Sequence, residues 1–401
     1  MDSPGSLSSL SISYLLSHLD HKTYALLRTP LRKQNKNRER GRKTQKRSMV
    51  DLTSRPTKIP PSSTTGDQGA ADGAISSVHP DILITHVLTR LDGPTLAAAA
   101  CASPYLRALS ADESLWREIC TSVWPSINDS RVRRVISIFS SGHRSFFSDS
   151  FPLLYHDCNR VDDHHHPITD TTELISAVDV YYQGVPIFSK VVETQTVGGW
   201  FLSSPFGVEL LEPKESVQTW VQQDSDDKDI WPKQLGENLT LSWILIDPKM
   251  KRAMNLSSQK PVSVERHWLT GEVEARFATI MAGDGKKGSR MEYTQCEIVM
   301  ACVGKLGGKV HMQEVSVGME DMEGRKLSGK DSLVILQAAM ERGERRKGKG
   351  GKEGEKRFEK FVERKRVWKE RKQSKERALD LFCQCAAITL FLAFLFFILL
   401  R

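Results

Sequence analysis

Residues 381–400 (LFCQCAAITLFLAFLFFILL) form an uncharged run of 20 residues that limits what the rest of the chain can be. A helix that is apolar all round has no place on the surface of a soluble domain. At about 1.5 Å per residue such a run reaches roughly 30 Å, the thickness of bilayer hydrocarbon. It therefore reads as a single transmembrane helix, with Arg401 after it. SISYLLSHL near the N-terminus is too short and too polar for a secretory signal. The expectation is a tail-anchored chain. Lys and Arg crowd the N-terminal side of the run, which puts residues 1–377 on the cytoplasmic face of an intracellular membrane, the endoplasmic reticulum foremost. Residues 341–377 read as a Gly-rich linker and then a basic amphipathic helix carrying Phe358, Phe361, Val362, Val367 and Trp368, able to attract anionic lipid. Cys383 and Cys385, at the membrane edge, are candidates for palmitoylation.

Residues 1–75 carry no sustained periodicity, are rich in Ser, Thr, Pro and Gly, and read as a disordered extension. A basic cluster over residues 31–47 admits a nuclear-import or anionic-surface patch, a transit peptide, or a merely solvated run. Translation from Met49 would remove the cluster. The net charge of +8 thus belongs to the ends, and no nucleic-acid partner is expected. The seven cysteines, at 101, 120, 158, 296, 302, 383 and 385, lack paired spacing, which indicates a reducing compartment. In that compartment the sequons at Asn128, Asn238 and Asn255 stay unused.

Between the ends, residues 76–120 predict three short helices. Pro80 suits a first helical position, and Leu83, Val87 and Leu91, with Ile84 and Leu88 beside them, form an apolar stripe of helical period. Asp92-Gly93 ends that helix, Pro94 opens a second over 96–102, and Ser103-Pro104 breaks the chain again. A turn then carries Leu106 and Leu109. Ser110 and Glu113 have the spacing of a capping box ahead of a third helix with Leu115, Trp116 and Ile119 on one side. About 45 residues bury too little to stand alone, so part of this apolar surface calls for a partner.

The run His79-Pro80, Ile82-Leu83, Val87-Leu88, Arg90-Leu91, Pro94-Thr95-Leu96, Cys101, Leu106-Arg107, Leu109 and Leu115-Trp116 resembles the F-box. His79 stands where that family has Leu, and four alanines at 97–100 replace bulkier residues. The resemblance implies docking on a Skp-type adaptor, and through it on a cullin scaffold. The residues it assigns to the contact or its support are Pro80, Ile82, Leu83, Val87, Leu88, Leu91, Leu96, Leu106, Leu109, Leu115 and Trp116.

Residues 121–167 read as a helical extension and linker. His156, Asp157 and Cys158, then Asp162, Asp163, His164, His165 and His166, invite a metal reading. Three adjacent histidines cannot all face one ion from a regular element, so the stretch reads as a solvated loop with no metal. Over residues 168–340 the pattern becomes short alternating strands with turns at Gln183-Gly184, Asp247-Pro248, Thr270-Gly271, 283–285 and 304–308, and a last helix over 332–340. That argues an antiparallel, sandwich-like β domain, and for the chain an α+β class.

This region resembles the domain that follows the F-box in a group of plant F-box proteins. The phrases that carry the likeness are SAVDVYY (176–182), FSKVVET (188–194), SWILIDP (242–248), VERHW (264–268) and KDSLVI (330–335). Gly283 and the residues after it lack P-loop spacing, and no motif supports an enzyme or a cofactor. Among the tryptophans, Trp243 and Trp268 are expected in the core. Trp220 and Trp231, flanking the acidic residues 224–229, are the candidates for binding a protein substrate; Trp200 is also noted. The reading is a non-catalytic substrate-recognition subunit of a Skp, cullin and F-box type ubiquitin ligase, tethered by residues 378–401. The alternative is a membrane-anchored lectin-like or protein-binding module without ligase function.

Overall fold

The chain starts to turn on itself where Thr85 and Thr89 return their hydroxyls to the carbonyls of Asp81 and Thr85, at 2.6 and 2.8 Å. Such back-bonding bends a helix, and here α1 (Pro80–His86) gives way at Val87 to a 3-10 turn, Leu88–Arg90. The structure, a computed structural model, describes residues 78–151, 153–155, 171–223, 230–283, 286–346 and 352–400. All of these lie in one compact unit, Gly66–Arg401. The N-terminal extension, the histidine run 164–166 and the acidic residues 224–229 lie outside the described residues.

Asp92 caps α2 (Gly93–Ala102) by accepting from the Thr95 N–H at 2.9 Å. Ser103 caps α3 (Pro104–Leu109) through the Leu106 N–H at 3.2 Å. The segment predicted as a turn carrying Leu106 and Leu109 is thus a helix of its own, and four helices stand where the sequence predicts three. The cap of α4 (Glu113–Val123) is Asp112 rather than Ser110. Ser110 closes α3 instead, and Glu113 turns away to the backbone N–H and ring of His143. A 3-10 turn (Pro125–Asn128), α5 (Ser130–Ser137) and α6 (Gly142–Ser150) complete the helical layer. Gly93 lets α2 and α6 approach, since a Cβ there would sit 2.1 Å from the Phe147 ring.

The strands pair antiparallel throughout. One sheet has the order β3 (Val185–Gln195), β2 (Glu173–Tyr182), β6 (Leu239–Asp247), β7 (Arg252–Asn255). The larger runs β4 (Gly207–Glu209), β11 (Lys309–Glu320), β10 (Tyr293–Val303), β9 (Val273–Ala282), β8 (Ser263–Arg266), with β5 (Val217–Gln222) also on β11. The β2–β3 hairpin turns on two residues of positive φ, Gln183 at 52° and Gly184 at 78°, the geometry that matches strand twist in a two-residue loop. Leu174, Val178 and Val180 of β2 and Trp243 of β6 meet Phe277, Ile298, Met300 and Val317 of the larger sheet in one core. Also packed around this core or its rim are α7 (Gly199–Ser203), α8 (Ile230–Asn238) and α9 (Gly329–Arg342).

The four-stranded sheet is buried on both faces. Its alternate residues Ile175, Ala177, Ile244 and Ile246 share a second core with Leu88, Leu96, Trp116, Trp124, Ile136 and Phe147 of the helical layer. The chain therefore stacks helices, sheet and sheet, with the smaller sheet in the middle. After α9, β12 (Glu344–Arg346) pairs with β1 (Leu153–Tyr155), and a single helix, α10 (Glu353–Leu399), runs for 47 residues to the end. It has no Pro, and no Gly after Gly354, to bend it. The charged and apolar segments read separately in the sequence are one continuous rod of roughly 70 Å.

Candidate functional site

The helical layer carries the residues that the sequence singles out for adaptor contact, and burial separates them into two groups. Leu88, Leu96, Leu115 and Trp116 are committed to the chain's own core, with Leu83 nearly as buried. Trp116 lies 5.4 Å from Phe147, and its indole N–H donates to the Ser110 carbonyl at 2.7 Å. Leu91 and Leu109 pack against that core half-buried, and Leu106 is half-buried too. These residues shape the layer from within.

The outward group is smaller. Pro80 is exposed, and Ile82 and Val87 keep 52% and 45% of their surface open. On α2, Leu96 and Ala100 point inward while Ala97, Ala98, Cys101 and Ala102 are exposed. A helix of sequence GPTLAAAACA has no polar side after Thr95, so folding leaves an apolar face uncovered. His79 accepts the Asp81 N–H on its ring nitrogen at 3.3 Å and caps α1 from the position before Pro80.

A polar seam fixes this layer to the sheet. Asp179 of β2, fully buried, accepts from the Ser126 N–H at 2.9 Å, the Ser126 hydroxyl at 2.6 Å and the Ser189 hydroxyl at 2.7 Å. The Tyr181 hydroxyl donates to the Val123 carbonyl, and the Trp124 indole N–H donates to Ser242 Oγ at 3.3 Å. Arg131 pairs with Glu173, and Asp149 accepts from Arg252 at 2.9 Å.

Burial raises the Asp179 carboxyl above its ordinary value, outweighing the hydrogen bonds from Ser126 and Ser189 that oppose it. A group raised on folding binds its proton more tightly in the native chain. Its favourable contribution is therefore complete below the ordinary carboxylate pKa and is lost as pH rises through the native one. Asp179→Asn keeps an acceptor and cannot ionise. Relative to the parent it is expected to gain stability as pH rises above about 4, read as the difference in denaturation midpoint at several pH values. A difference that does not change with pH would contradict the assignment.

The tryptophan positions depart from expectation. Trp231 lies on α8 beside Leu235, 2% exposed in the β core, so its ring is not open to a partner. Its i, i+4 spacing to Leu235 marks an inward helical face. Trp220 is 46% exposed, edge-on to Tyr182, and its indole N–H donates to the Pro186 carbonyl at the hairpin. Trp243 is in the core as expected. Trp268, expected there too, is 78% exposed. β8 stops at Arg266, and the turn closed by the His267 N–H to the Glu272 carbonyl at 2.7 Å and the Gly271 N–H to the His267 carbonyl at 2.9 Å leaves Trp268 and Leu269 on its tip. Leu306, on the β10–β11 turn at the same end of the larger sheet, is also exposed, as is Trp200 on α7.

Among the described residues, no group of three or more His, Cys, Asp and Glu side chains converges on a point that would hold a metal ion. α10 is the one described helix long and apolar enough to cross a membrane, and its apolar window is wholly unburied.

Comparison with known proteins finds no matching family model and no matching solved structure. Curated relatives are clear. The chain is 44% identical over 332 residues to the F-box protein At2g27310 of Arabidopsis thaliana, covering 82% of this chain and 97% of that one. It is 46% identical over 343 residues to the F-box protein At3g44326 of the same plant, covering 83% and 93%. To the probable F-box protein At2g36090 it is 42% identical over 328 residues, covering 82% and 94%.

Proposed function

The chain belongs to the plant F-box protein family, and from that membership we propose that it is the substrate-recognition subunit of a Skp, cullin and F-box type ubiquitin ligase, held to a membrane by its last helix. The observation that carries the reading is the uncovered apolar face made by Pro80, Ile82, Val87 and the alanines of α2. A Skp-type adaptor would cover that face, while Leu88, Leu96, Leu115 and Trp116 support it from the core. The cullin joins through the adaptor. Catalysis resides in the other subunits, and this chain contributes proximity and orientation.

Substrate selection falls to the β-rich layers. Trp220 remains a candidate contact and Trp231 does not, while the exposed tips at Trp268, Leu269 and Leu306 offer apolar surface at one end of the larger sheet. Tethering supports the same role by concentrating the receptor where membrane-bound substrates are. Cys383 and Cys385, both exposed on α10, fit palmitoylation at the membrane edge.

Two measurements test the reading. The full chain in detergent is titrated with a Skp-type adaptor; saturable binding is expected. No binding by a chain shown to be folded would favour a membrane-anchored protein-binding module instead. The tagged chain is also imaged beside one ending at Arg377. The full chain is expected on endoplasmic reticulum and the shortened one in the cytosol, and identical soluble distributions would remove the tether.

A further inference from the structure

α10 does not leave the folded part freely. A stripe at 354, 357, 361, 365, 368 and 372 starts against Ser258 and β1 and continues along the larger sheet and its turns. Phe361 is buried, Arg357 donates to the Leu154 carbonyl at 2.9 Å and stacks on Tyr155, and Arg364 lies 4.6 Å over the Tyr293 ring. The Trp368 indole N–H donates to the Gly288 carbonyl at 3.0 Å, and Lys372 pairs with Glu323. The contacts advance toward one end of the sheet, where the β9–β10 turn and the β11–α9 turn lie side by side, joined by the Met322 N–H to the Arg290 carbonyl. Beyond Lys372 the helix runs nine residues, about 14 Å, to Leu381.

We propose that this end of the larger sheet is a second membrane contact, a surface that takes anionic lipid headgroups; the inference rests on α10 being a membrane anchor. The two turns, 286–292 and 321–327, hold Lys286, Lys287, Arg290, Arg325 and Lys326 against Glu292, Asp321 and Glu323. Asp321 is buried beneath Arg290, and Glu323 is held by Lys372 and Arg325. Lys287, Arg290, Arg325 and Lys326 are exposed. The last turns of the docked stripe and the helix beyond it add Lys369, Arg371, Lys375 and Arg377. Headgroups occupy roughly 5–7 Å outside the hydrocarbon, helices tilt by about 20°, and the Debye length is about 8 Å. Long basic side chains on the turns therefore fall within reach of an anionic leaflet. The opposite end of the sheet, with Trp268, Leu269 and Leu306, points away from the bilayer, which leaves its apolar tips free for protein.

The test uses the full chain reconstituted into vesicles of phosphatidylcholine alone or rich in phosphatidylserine, with amine labelling read by mass spectrometry. Labelling of Lys287 and Lys326 is expected to fall about fivefold in the phosphatidylserine vesicles and to recover at high salt. Lys305 and Lys309, exposed at the distal end, should label equally in both. Equal labelling of Lys287 and Lys326 in a chain that co-floats with both vesicles would overturn the surface and leave the anchor standing. A chain that floats with neither would overturn the anchor and this inference with it.

Discussion

A chain carrying both Ile82→Glu and Val87→Glu is expected to bind a Skp-type adaptor at least about 100-fold more weakly than the parent, with its denaturation midpoint unchanged. Both side chains are about half exposed in the free chain, so neither substitution opens a cavity. Covering them would remove apolar surface from water, and each introduced carboxylate would lose hydration without gaining a partner. Together these effects reach about 3 kcal/mol, which is the stated factor. Titration calorimetry beside a denaturation curve separates the effect from unfolding. Leu96→Ala or Trp116→Ala could not make that separation, because both residues lie in the chain's own core. Unimpaired binding by the folded double variant would mean that the adaptor uses another surface.

The largest loss of stability is expected from Trp124→Ala, about 4 kcal/mol. The Trp124 ring sits edge-on to Phe146 at 5.7 Å and tilted against Phe147 at 5.6 Å, and its N–H reaches across to Ser242 on β6. Truncation would leave a cavity between the helical layer and the middle sheet, where a shared core allows neither side to collapse alone. A loss of that size is about a quarter or more of the stability of an ordinary domain, about 5–15 kcal/mol. Chemical denaturation of the full chain followed by circular dichroism measures it. Trp268→Ala, on an exposed tip, is the control and should stay within about 0.5 kcal/mol. Equal effects from the two substitutions would refute the shared core.

Local rules of the sequence were sufficient wherever short-range chemistry decides. Pro80 and Ser103 mark helix starts because a missing N–H or a side-chain acceptor acts within three residues, whereas Asp92-Gly93, read as the stop of the first helix, opens α2 with Asp92 as its cap. Gln183-Gly184 marks the hairpin because both positions need positive φ. Failures came where a distant partner decided. Glu113 has the spacing of a capping box, yet His143, thirty residues on, takes it. The strands of the middle sheet bury both faces, so alternation could not reveal that Ile175 and Ile244 pack on helices. The same hidden contact buries Leu88, Leu96 and Trp116, which the resemblance to the F-box assigns to the adaptor contact or its support. Trp231 and Trp268 exchanged places for a similar reason: the helix α8, which the strand pattern does not announce, buries the first, and a strand that stops early exposes the second.

The unbroken course of α10 couples azimuth to length. With about 100° of rotation per residue, a chain held by residues 381–400 points its adaptor face around the membrane normal in a direction set by the number of residues between Lys372 and Leu381. One residue inserted there would swing that face by more than a quarter turn and lift it only about 1.5 Å. Seven would nearly restore its bearing while raising it about 10 Å. In a chain so tethered the segment 373–380 would act as a phase spacer, in which residue count, rather than residue identity, sets where on the membrane a ligase assembled on this chain would aim.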